Sequence, residues 1–166
     1  MVKAAKEETL GDLKNRAAWE PLQKGDIIEV VAPGSACTSS ELRGAVRFLS
    51  DWGFIPRVPK KIFSEDPLFS HDDETRFQYL AEALTAEDSK AIWCVRGGYG
   101  AIRLLPALND FEKPACPKVF LGYSDMSSLH LFLNLFWQWP TLHAPLLDRF
   151  GRGEARPAES DDLKKI

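Results

Sequence analysis

Apolar residues along this chain fall into short blocks, and the spacing within the blocks takes two forms. Blocks rich in β-branched residues, with few polar interruptions, are typical of buried strands. They occupy residues 26–32, 54–58, 90–95, 118–122 and 140–143. Blocks with apolar residues three or four positions apart are typical of amphipathic helices. One such block follows the cap candidates Ser39 and Ser40, and the others occupy residues 72–86, 101–108 and 126–137.

The alternation of strands with helices predicts the fold class. Such a series forms βαβ units, which gives an α/β fold with a mostly parallel sheet and helices on both faces, a three-layer α/β/α arrangement. Pro56 places the second strand near an edge of the sheet, and Gly53 ends the helix before it. We expect a tail or short helix over residues 1–20, the α/β domain over 21–148, and a linker over 149–166.

Composition fits one packed domain and excludes several classes of protein. The 166 residues carry a formal net charge of −3, which offers no basic face for nucleic acid. No apolar run is long enough to span a bilayer, and the N-terminus lacks the apolar core of a secretory signal. Cys37, Cys94 and Cys116 form no CxxC pair. We therefore expect a cytoplasmic protein with no zinc site, nucleic-acid partner or membrane partner, and we assign it no cofactor.

Three polar or glycine-rich loops directly follow predicted strands. They are Pro33-Gly34-Ser35, Arg96-Gly97-Gly98-Tyr99-Gly100 and Tyr123-Ser124-Asp125. Ligand chemistry in parallel sheets collects at the carboxyl ends of the strands, so we expect these loops to lie close together. The connection over residues 59–71 is longer than usual, which indicates a functional loop.

Ser124 is the strongest candidate for chemistry. It stands in Gly122-Tyr123-Ser124-Asp125 between a predicted strand and a predicted helix. A sharp turn there exposes the hydroxyl, and the backbone N–H of Asp125 can bind an oxyanion. The match to Gly-x-Ser-x-Gly is partial, because Met126 replaces the second glycine. The alternative is that Ser124 only caps the following helix, a position that favours serine.

The glycine loop is the second candidate. Gly97 and Gly98 allow the backbone to approach a ligand closely and to turn its N–H groups outward. The loop can supply a second oxyanion donor, cradle a phosphate in a flavodoxin-like cofactor binder, or form a tight turn only. Its spacing is not Gly-x-Gly-x-x-Gly and it lacks a Walker lysine.

The general base that a serine nucleophile requires is not evident among the histidines. His130 lies six residues beyond Ser124 on an apolar helix, which carries it away from the turn. His143 follows the last predicted strand and is a candidate to line the same pocket, whereas His71 lies in the long loop. The residues alone leave the base unassigned.

Five segments, spanning roughly residues 22 to 150, together resemble the LD-carboxypeptidases, serine peptidases that include the microcin-immunity peptidases. The arginine-glycine loop followed by Gly-Tyr-Ser-Asp is the most specific part. In order, the segments are Ile28-Glu29-Val30-Val31-Ala32-Pro33, Asp73-Glu74-Thr75-Arg76, Ala91-Ile92-Trp93-Cys94-Val95-Arg96-Gly97-Gly98-Tyr99-Gly100, Leu121-Gly122-Tyr123-Ser124-Asp125 and Thr141-Leu142-His143-Ala144-Pro145.

The resemblance implies a flavodoxin-like domain in which Ser124 is the nucleophile. It also implies an oxyanion hole formed by the backbone N–H groups of Asp125, Gly97 and Gly98. Members of the family are metal-free, cytoplasmic hydrolases that cleave the amide between an L-configured centre and a terminal D-residue. The usual substrate is a murein tetrapeptide that loses D-alanine during peptidoglycan recycling, whereas the immunity branch cleaves a peptidyl-nucleotide. A second copy of the chain is a further candidate partner, which would give a homodimer. The alternative function is that of a non-catalytic module that binds a peptide or a nucleotide.

The resemblance also implies that the catalytic residues are incomplete in this chain. In the family, the glutamate and histidine of the triad come from a second, C-terminal domain, so we expect both outside residues 1–166. We therefore expect this chain alone not to hydrolyse peptides. Ala144 stands where the family usually has glycine. A missing covering domain also predicts exposed apolar surface near Trp137 and Trp139.

Overall fold

The fold is built on a single parallel sheet, and a computed structural model describes residues 20–154 of the chain. Its strands are β1 Ile27–Val31, β2 Ile55–Arg57, β3 Ser89–Cys94, β4 Val119–Gly122 and β5 Thr141–His143. They lie in the order β2-β1-β3-β4-β5, and every neighbouring pair is parallel. This is the order of flavodoxin-like sheets, with the reversal between β1 and β3. The predicted α/β class is confirmed, and β2 lies at an edge.

Helices cover both faces of the sheet, which confirms the three layers. One face carries α1 Ser39–Asp51 and α5 Leu147–Gly151. The other carries α2 Asp73–Thr85, α3 Leu105–Asp110 and α4 Ser127–Phe132. Each face has its own apolar core, with Trp93 fully buried in one and Phe120 in the other. No helix between residues 20 and 154 is long and apolar enough to cross a membrane.

The N-cap of the first helix lies one residue before Ser39, the nearer of the two predicted caps. Thr38 is the N-cap, and its hydroxyl accepts the N–H of Glu41 at 3.2 Å. The Glu41 carboxylate in turn accepts the N–H of Thr38 at 2.6 Å. This reciprocal pair is a capping box, which requires the cap to stand three residues before the glutamate. Gly53, with φ of +91°, follows the end of the helix as predicted.

The helix predicted over residues 101–108 consists of two parts. A 3-10 turn covers Ala101–Leu104 and leads directly into α3. Pro106 lies in the first turn of α3, where its missing N–H leaves no hydrogen bond unmade. The change of helix type therefore falls where proline is tolerated.

The apolar helix predicted over residues 126–137 also changes type, and this buries both tryptophans. A π-helical turn over Leu133–Trp137 ends at Gln138, whose φ of +56° is left-handed. Trp137 and Trp139 then meet at 5.4 Å between ring centroids and are only 5% and 2% exposed. Both tryptophans are therefore buried, and neighbouring side chains form the exposed apolar surface that was predicted near them. The exposed apolar side chains of this segment are those of Leu131, Leu135 and Phe136.

The packed domain continues past the predicted boundary at residue 148. That boundary divides α5, which crosses α1 so closely that a Cβ atom on Gly44 would lie 2.5 Å from the carbonyl oxygen of Gly151. Arg152 then pairs with Glu41 at 3.0 Å. Gly151 and Arg152, which lie in the predicted linker, contribute to this helix crossing instead. Residues 1–19 and 155–166, where the predicted tail and most of the predicted linker fall, lie outside the described residues.

Candidate active site

The loops that follow β1, β3 and β4 meet at the carboxyl edge of the sheet, as predicted. The N–H of Ser35 donates to the carbonyl oxygen of Gly97 at 2.9 Å, which joins the first two loops. A Cβ atom on Gly97 would lie 3.1 Å from the Cβ of Ser124, which places the third loop against the second. The three loops therefore form one continuous surface.

Ser124 adopts a left-handed conformation at the sharpest point of the β4–α4 connection. Tyr123 is still extended, whereas Ser124 has φ of +62° and is the first residue of a 3-10 turn that ends at Met126. For a residue other than glycine this conformation costs about 1–2 kcal/mol, and such strain concentrates at functional sites. Ser124 is exposed and is not an N-cap, because Tyr123 precedes the 3-10 turn as its cap and Met126 is the N-cap of α4. The capping alternative is therefore not what the structure contains.

Close packing explains the glycine before the turn and the methionine after it. A Cβ atom on Gly122 would lie 2.9 Å from the Cγ of Met126. Met126 is fully buried and fills the core beneath α4. The turn thus keeps the first glycine of the Gly-x-Ser-x-Gly pattern for steric reasons and uses the second position for core packing.

The glycine loop after β3 fits against the serine turn and the loop after β1 because Gly97 and Gly98 carry no side chains. Gly97 is buried, and a Cβ atom there would lie 3.3 Å from the Oγ of Ser124. Gly98 has φ of +86°, and its Cβ would lie 2.3 Å from the Oγ of Ser35. Between residues 20 and 154, no hydrogen bond uses the backbone N–H of Gly97, Gly98 or Asp125. These donors are therefore available beside an exposed hydroxyl.

The side chain of Asp125 connects all three loops. Its Oδ2 accepts the backbone N–H of Ala101 at 2.9 Å, just after the glycine loop. A Cβ atom on Gly34 would lie 2.7 Å from the same oxygen, so the loop after β1 packs on it as well. Sequence reasoning assigned Asp125 only a backbone role and missed this contact.

The long connection over residues 59–71 supports the loop after β1. Ser70 is buried, and its Oγ donates to the carbonyl oxygen of Ala32 at 2.5 Å while its N–H donates to that of Gly34 at 2.9 Å. In addition, the Ser35 hydroxyl donates a hydrogen bond to the carbonyl oxygen of Leu68 in the long connection, at 2.6 Å. The predicted functional loop is thus bonded directly to the site.

A buried arginine beneath the site was also missed. Arg76 is 2% exposed, and its guanidinium donates to the carbonyl oxygen of Pro33 and to Asp73. It also lies over the ring of Phe69, 4.9 Å from the centroid. The only signal in the sequence was the segment Asp73-Glu74-Thr75-Arg76, which gives no indication of burial. Arg76 fixes the start of the loop that holds Gly34 and Ser35.

None of the histidines bonds to Ser124 within the described residues. His130 Nε2 lies 2.9 Å from the carbonyl oxygen of Gly122, and burial lowers the pKa of its imidazole. His143 is exposed, with its ring 6.2 Å from that of His130. His71 pairs with the neighbouring aspartate. Residues 20–154 therefore present an exposed serine hydroxyl beside unbonded backbone N–H groups, with no histidine bonded to that serine.

A cleft of about 280 Å³ opens beside the serine turn. The residues that line it are Tyr123, His143, Ala144, Pro145 and Arg149. It contains two basic side chains and no carboxylate, a polarity that suits an anionic group of a substrate. No cluster of three or more His, Cys, Asp or Glu side chains that could hold a metal ion occurs in the part of the chain that is described.

Fold and site together define an α/β domain that presents a strained, exposed serine at a strand-to-helix turn. The sequence profile described as the LD-carboxypeptidase N-terminal domain matches residues 28–144. The chain belongs to the LD-carboxypeptidase family.

Named relatives agree with this assignment. The chain is 37% identical over 118 residues to a Rickettsia conorii protein named as a carboxypeptidase, which covers 70% of this chain and 36% of the relative. It is 29% identical over 136 residues to the murein tetrapeptide carboxypeptidase of Pseudomonas aeruginosa, and this match covers 80% of this chain and 43% of that protein. The crystal structure of an MccF-like protein from Bacillus anthracis superposes with a TM-score of 0.75 at 27% identity. The superposition covers 89% of this chain and 46% of that protein. The chain thus spans less than half the length of each.

Proposed function

We propose that this chain is the nucleophile-bearing part of a serine LD-carboxypeptidase that releases the terminal D-residue of a murein tetrapeptide. The observation that carries the proposal is the left-handed Ser124, whose exposed hydroxyl lies against the side-chain-free backbone of Gly97. A helix cap does not require this conformation, whereas a nucleophile that must project from a sheet edge does.

The proposed reaction is an acyl transfer to Ser124. Its Oγ attacks the carbonyl carbon of the L-configured centre and gives its proton to a base outside the described residues. The tetrahedral oxyanion accepts the backbone N–H groups of Asp125 and Gly98. Cleavage of the C–N bond then releases the D-residue as an amine, protonated by that base. Water hydrolyses the remaining ester and restores the serine.

The polarity of the cleft beside Ser124 supports a substrate with a free terminal carboxylate. His143 and Arg149 both line it. Arg149 already donates to the carbonyl oxygen of Glu154, so His143 is the side chain whose N–H can bind a substrate carboxylate. The name of the Pseudomonas aeruginosa relative identifies murein tetrapeptides as the substrate of that protein. A tetrapeptide that ends in D-alanine is therefore the substrate to test first.

One observation favours a second function, that of a module that binds a peptide or a nucleotide without cleaving it. No histidine between residues 20 and 154 bonds to Ser124, and a serine without a base is a weak nucleophile. The two functions differ in whether Ser124 forms a covalent bond with an electrophile that occupies the site.

A peptide boronic acid, with boron in place of the scissile carbonyl carbon, tests the covalent function. Bond formation between Ser124 Oγ and boron releases the serine proton to solvent and leaves a tetrahedral, anionic boron. We expect a tetrahedral signal in ¹¹B NMR for the wild-type chain and none for Ser124→Ala. Ser127→Ala, which removes an exposed serine three residues further on, should keep the signal. Binding without a tetrahedral signal would favour the non-catalytic module.

A further inference from the structure

We infer that the Asp125 carboxylate is a positioning residue that fixes the distance between the two halves of the oxyanion hole. The inference rests on the proposed function, in which one donor is the N–H of Asp125 and the other belongs to the loop of Gly97 and Gly98. Those donors lie in the segments that follow β4 and β3, so a contact between the two segments must fix the distance between them.

Asp125 is placed to make that contact. Its backbone follows the nucleophile directly, while its Oδ2 reaches across to the N–H of Ala101 at 2.9 Å. Ala101 is fully buried and begins the 3-10 turn that follows the glycine loop. One residue therefore supplies a donor to the site and an acceptor to the opposite loop.

The glycine loop is fixed at its other end by the loop after β1. The carbonyl oxygen of Gly97 accepts the N–H of Ser35 at 2.9 Å. Gly34 packs on both partners, because a Cβ atom there would lie 2.5 Å from the Gly97 oxygen and 2.7 Å from Asp125 Oδ2. The segment with the second donor is thus held between the Asp125 carboxylate and the loop after β1.

The chemistry of the contact gives it weight. A buried N–H that loses its acceptor destabilises the loop that carries it, and a carboxylate makes a stronger acceptor than a neutral group. A displacement of about 1 Å at a catalytic group can lower the rate about 100-fold. Loss of the contact should therefore weaken stabilisation of the oxyanion more than it weakens folding.

The test measures the dissociation constant of the same peptide boronic acid in matched variants. Asp125→Ala removes the acceptor and should weaken binding on the order of 10- to 100-fold. Asp125→Asn keeps an amide oxygen that can accept the Ala101 N–H, and should recover most of that loss. Asp51→Ala, which removes an exposed carboxylate at the end of α1, should bind like the wild type.

Hydrogen exchange at the Ala101 amide provides a measurement without ligand. Exchange should be faster in Asp125→Ala than in the wild type, and close to wild type in Asp125→Asn. If Asp125→Ala does not fold, Asp125→Ser takes its place, because the shorter serine side chain does not reach the Ala101 N–H, and it should weaken boronate binding about tenfold.

The outcomes separate the inference from the proposed function. Absence of any wild-type adduct at Ser124 contradicts the proposed function and, with it, the positioning role. A wild-type adduct whose affinity and Ala101 exchange are unchanged in Asp125→Ala overturns the positioning role alone. Equal weakening in Asp125→Ala and Asp125→Asn also overturns it, because an acceptor at this position would then be insufficient.

Discussion

The backbone of Gly97 lies directly against the side chain of Ser124, so that a Cβ atom on Gly97 would be 3.3 Å from the hydroxyl oxygen. Two segments 27 positions apart in the sequence therefore form one site. Because the contact leaves little space, the glycine loop has a steric requirement as well as a conformational one.

The requirement for glycine at position 98 predicts a large loss of stability in Gly98→Ala. A left-handed φ costs alanine about 1–2 kcal/mol, and the new Cβ would lie 2.3 Å from Ser35 Oγ. Gly25→Ala is the matched control, because Gly25 has φ of +95° with no atom within 4 Å of a Cβ. We expect urea denaturation to show the larger loss for Gly98→Ala, and equal losses would contradict the close contact with Ser35.

Relief of strain at the turn predicts that Ser124→Gly is more stable than Ser124→Ala by about 1 kcal/mol. Both variants lack the hydroxyl, but only glycine adopts φ of +62° without steric cost. Gln138→Gly should gain stability for the same reason, since Gln138 has φ of +56°, and it should keep the boronate adduct that Ser124→Gly loses. Thermal unfolding measures both effects, and a less stable Ser124→Gly would show that the turn is not strained.

Burial of Arg76 predicts that replacement by lysine lowers the free energy of unfolding by about 2 kcal/mol. A lysine ammonium cannot reproduce the planar fork that joins the Pro33 carbonyl to Asp73, so a buried carbonyl loses its partner. Arg103→Lys is the control, because Arg103 pairs with the same Asp73 but is half-exposed. That change should cost less than about 1 kcal/mol. Chemical denaturation measures the free energy of unfolding of both variants. Losses of the same size would contradict a special role for Arg76.

The half-buried His130 predicts a loss of stability in mild acid. Burial lowers its pKa below the ordinary 6.5, so between the folded-state pKa and 6.5 the unfolded chain binds more protons. The free energy of unfolding should therefore fall as the pH decreases through this window, and the nearby His143 ring adds to the effect when it is charged.

Comparison with neutral variants isolates the contribution of His130. From pH 7.5 to pH 5, the wild type should lose more stability than His130→Gln, in which the titrating group is absent. His143→Gln, which replaces an exposed histidine, should still show most of the wild-type loss. If the wild type and His130→Gln lost the same free energy of unfolding on acidification, the titration of His130 would not be the cause of the loss.

Patterns of near neighbours in the sequence predicted most of the architecture. Strands such as Ile27–Val31 and Val119–Gly122 are buried on both faces, which requires continuous apolar runs that can be recognised locally. The position of Ser124 between a strand and a helix was recognisable for the same reason. Parallel topology then placed the loop of Gly97 beside it.

Contacts between distant segments were not predictable in this way. The capping box of Thr38 depends on residues three apart and was in principle recognisable, but Asp125 bonds Ala101 across 24 positions and Arg76 reaches Pro33 across 43. Burial of Trp139 likewise depends on a π-helical turn, which the apolar spacing does not distinguish from an α-helix. Such features arise from tertiary packing, which overrides local pattern.

Release of D-alanine by a chimeric enzyme tests the proposed function most directly. Residues 28–144 would replace the matching segment of the Pseudomonas aeruginosa murein tetrapeptide carboxypeptidase, which supplies the rest of its own chain. We expect the chimera to release D-alanine from a murein tetrapeptide, not to cleave a peptide that ends in L-alanine, and to lose activity on Ser124→Ala. The 166-residue chain alone should release none. A folded chimera that binds the tetrapeptide without releasing D-alanine, or release that survives Ser124→Ala, would contradict the assignment of Ser124 as the nucleophile.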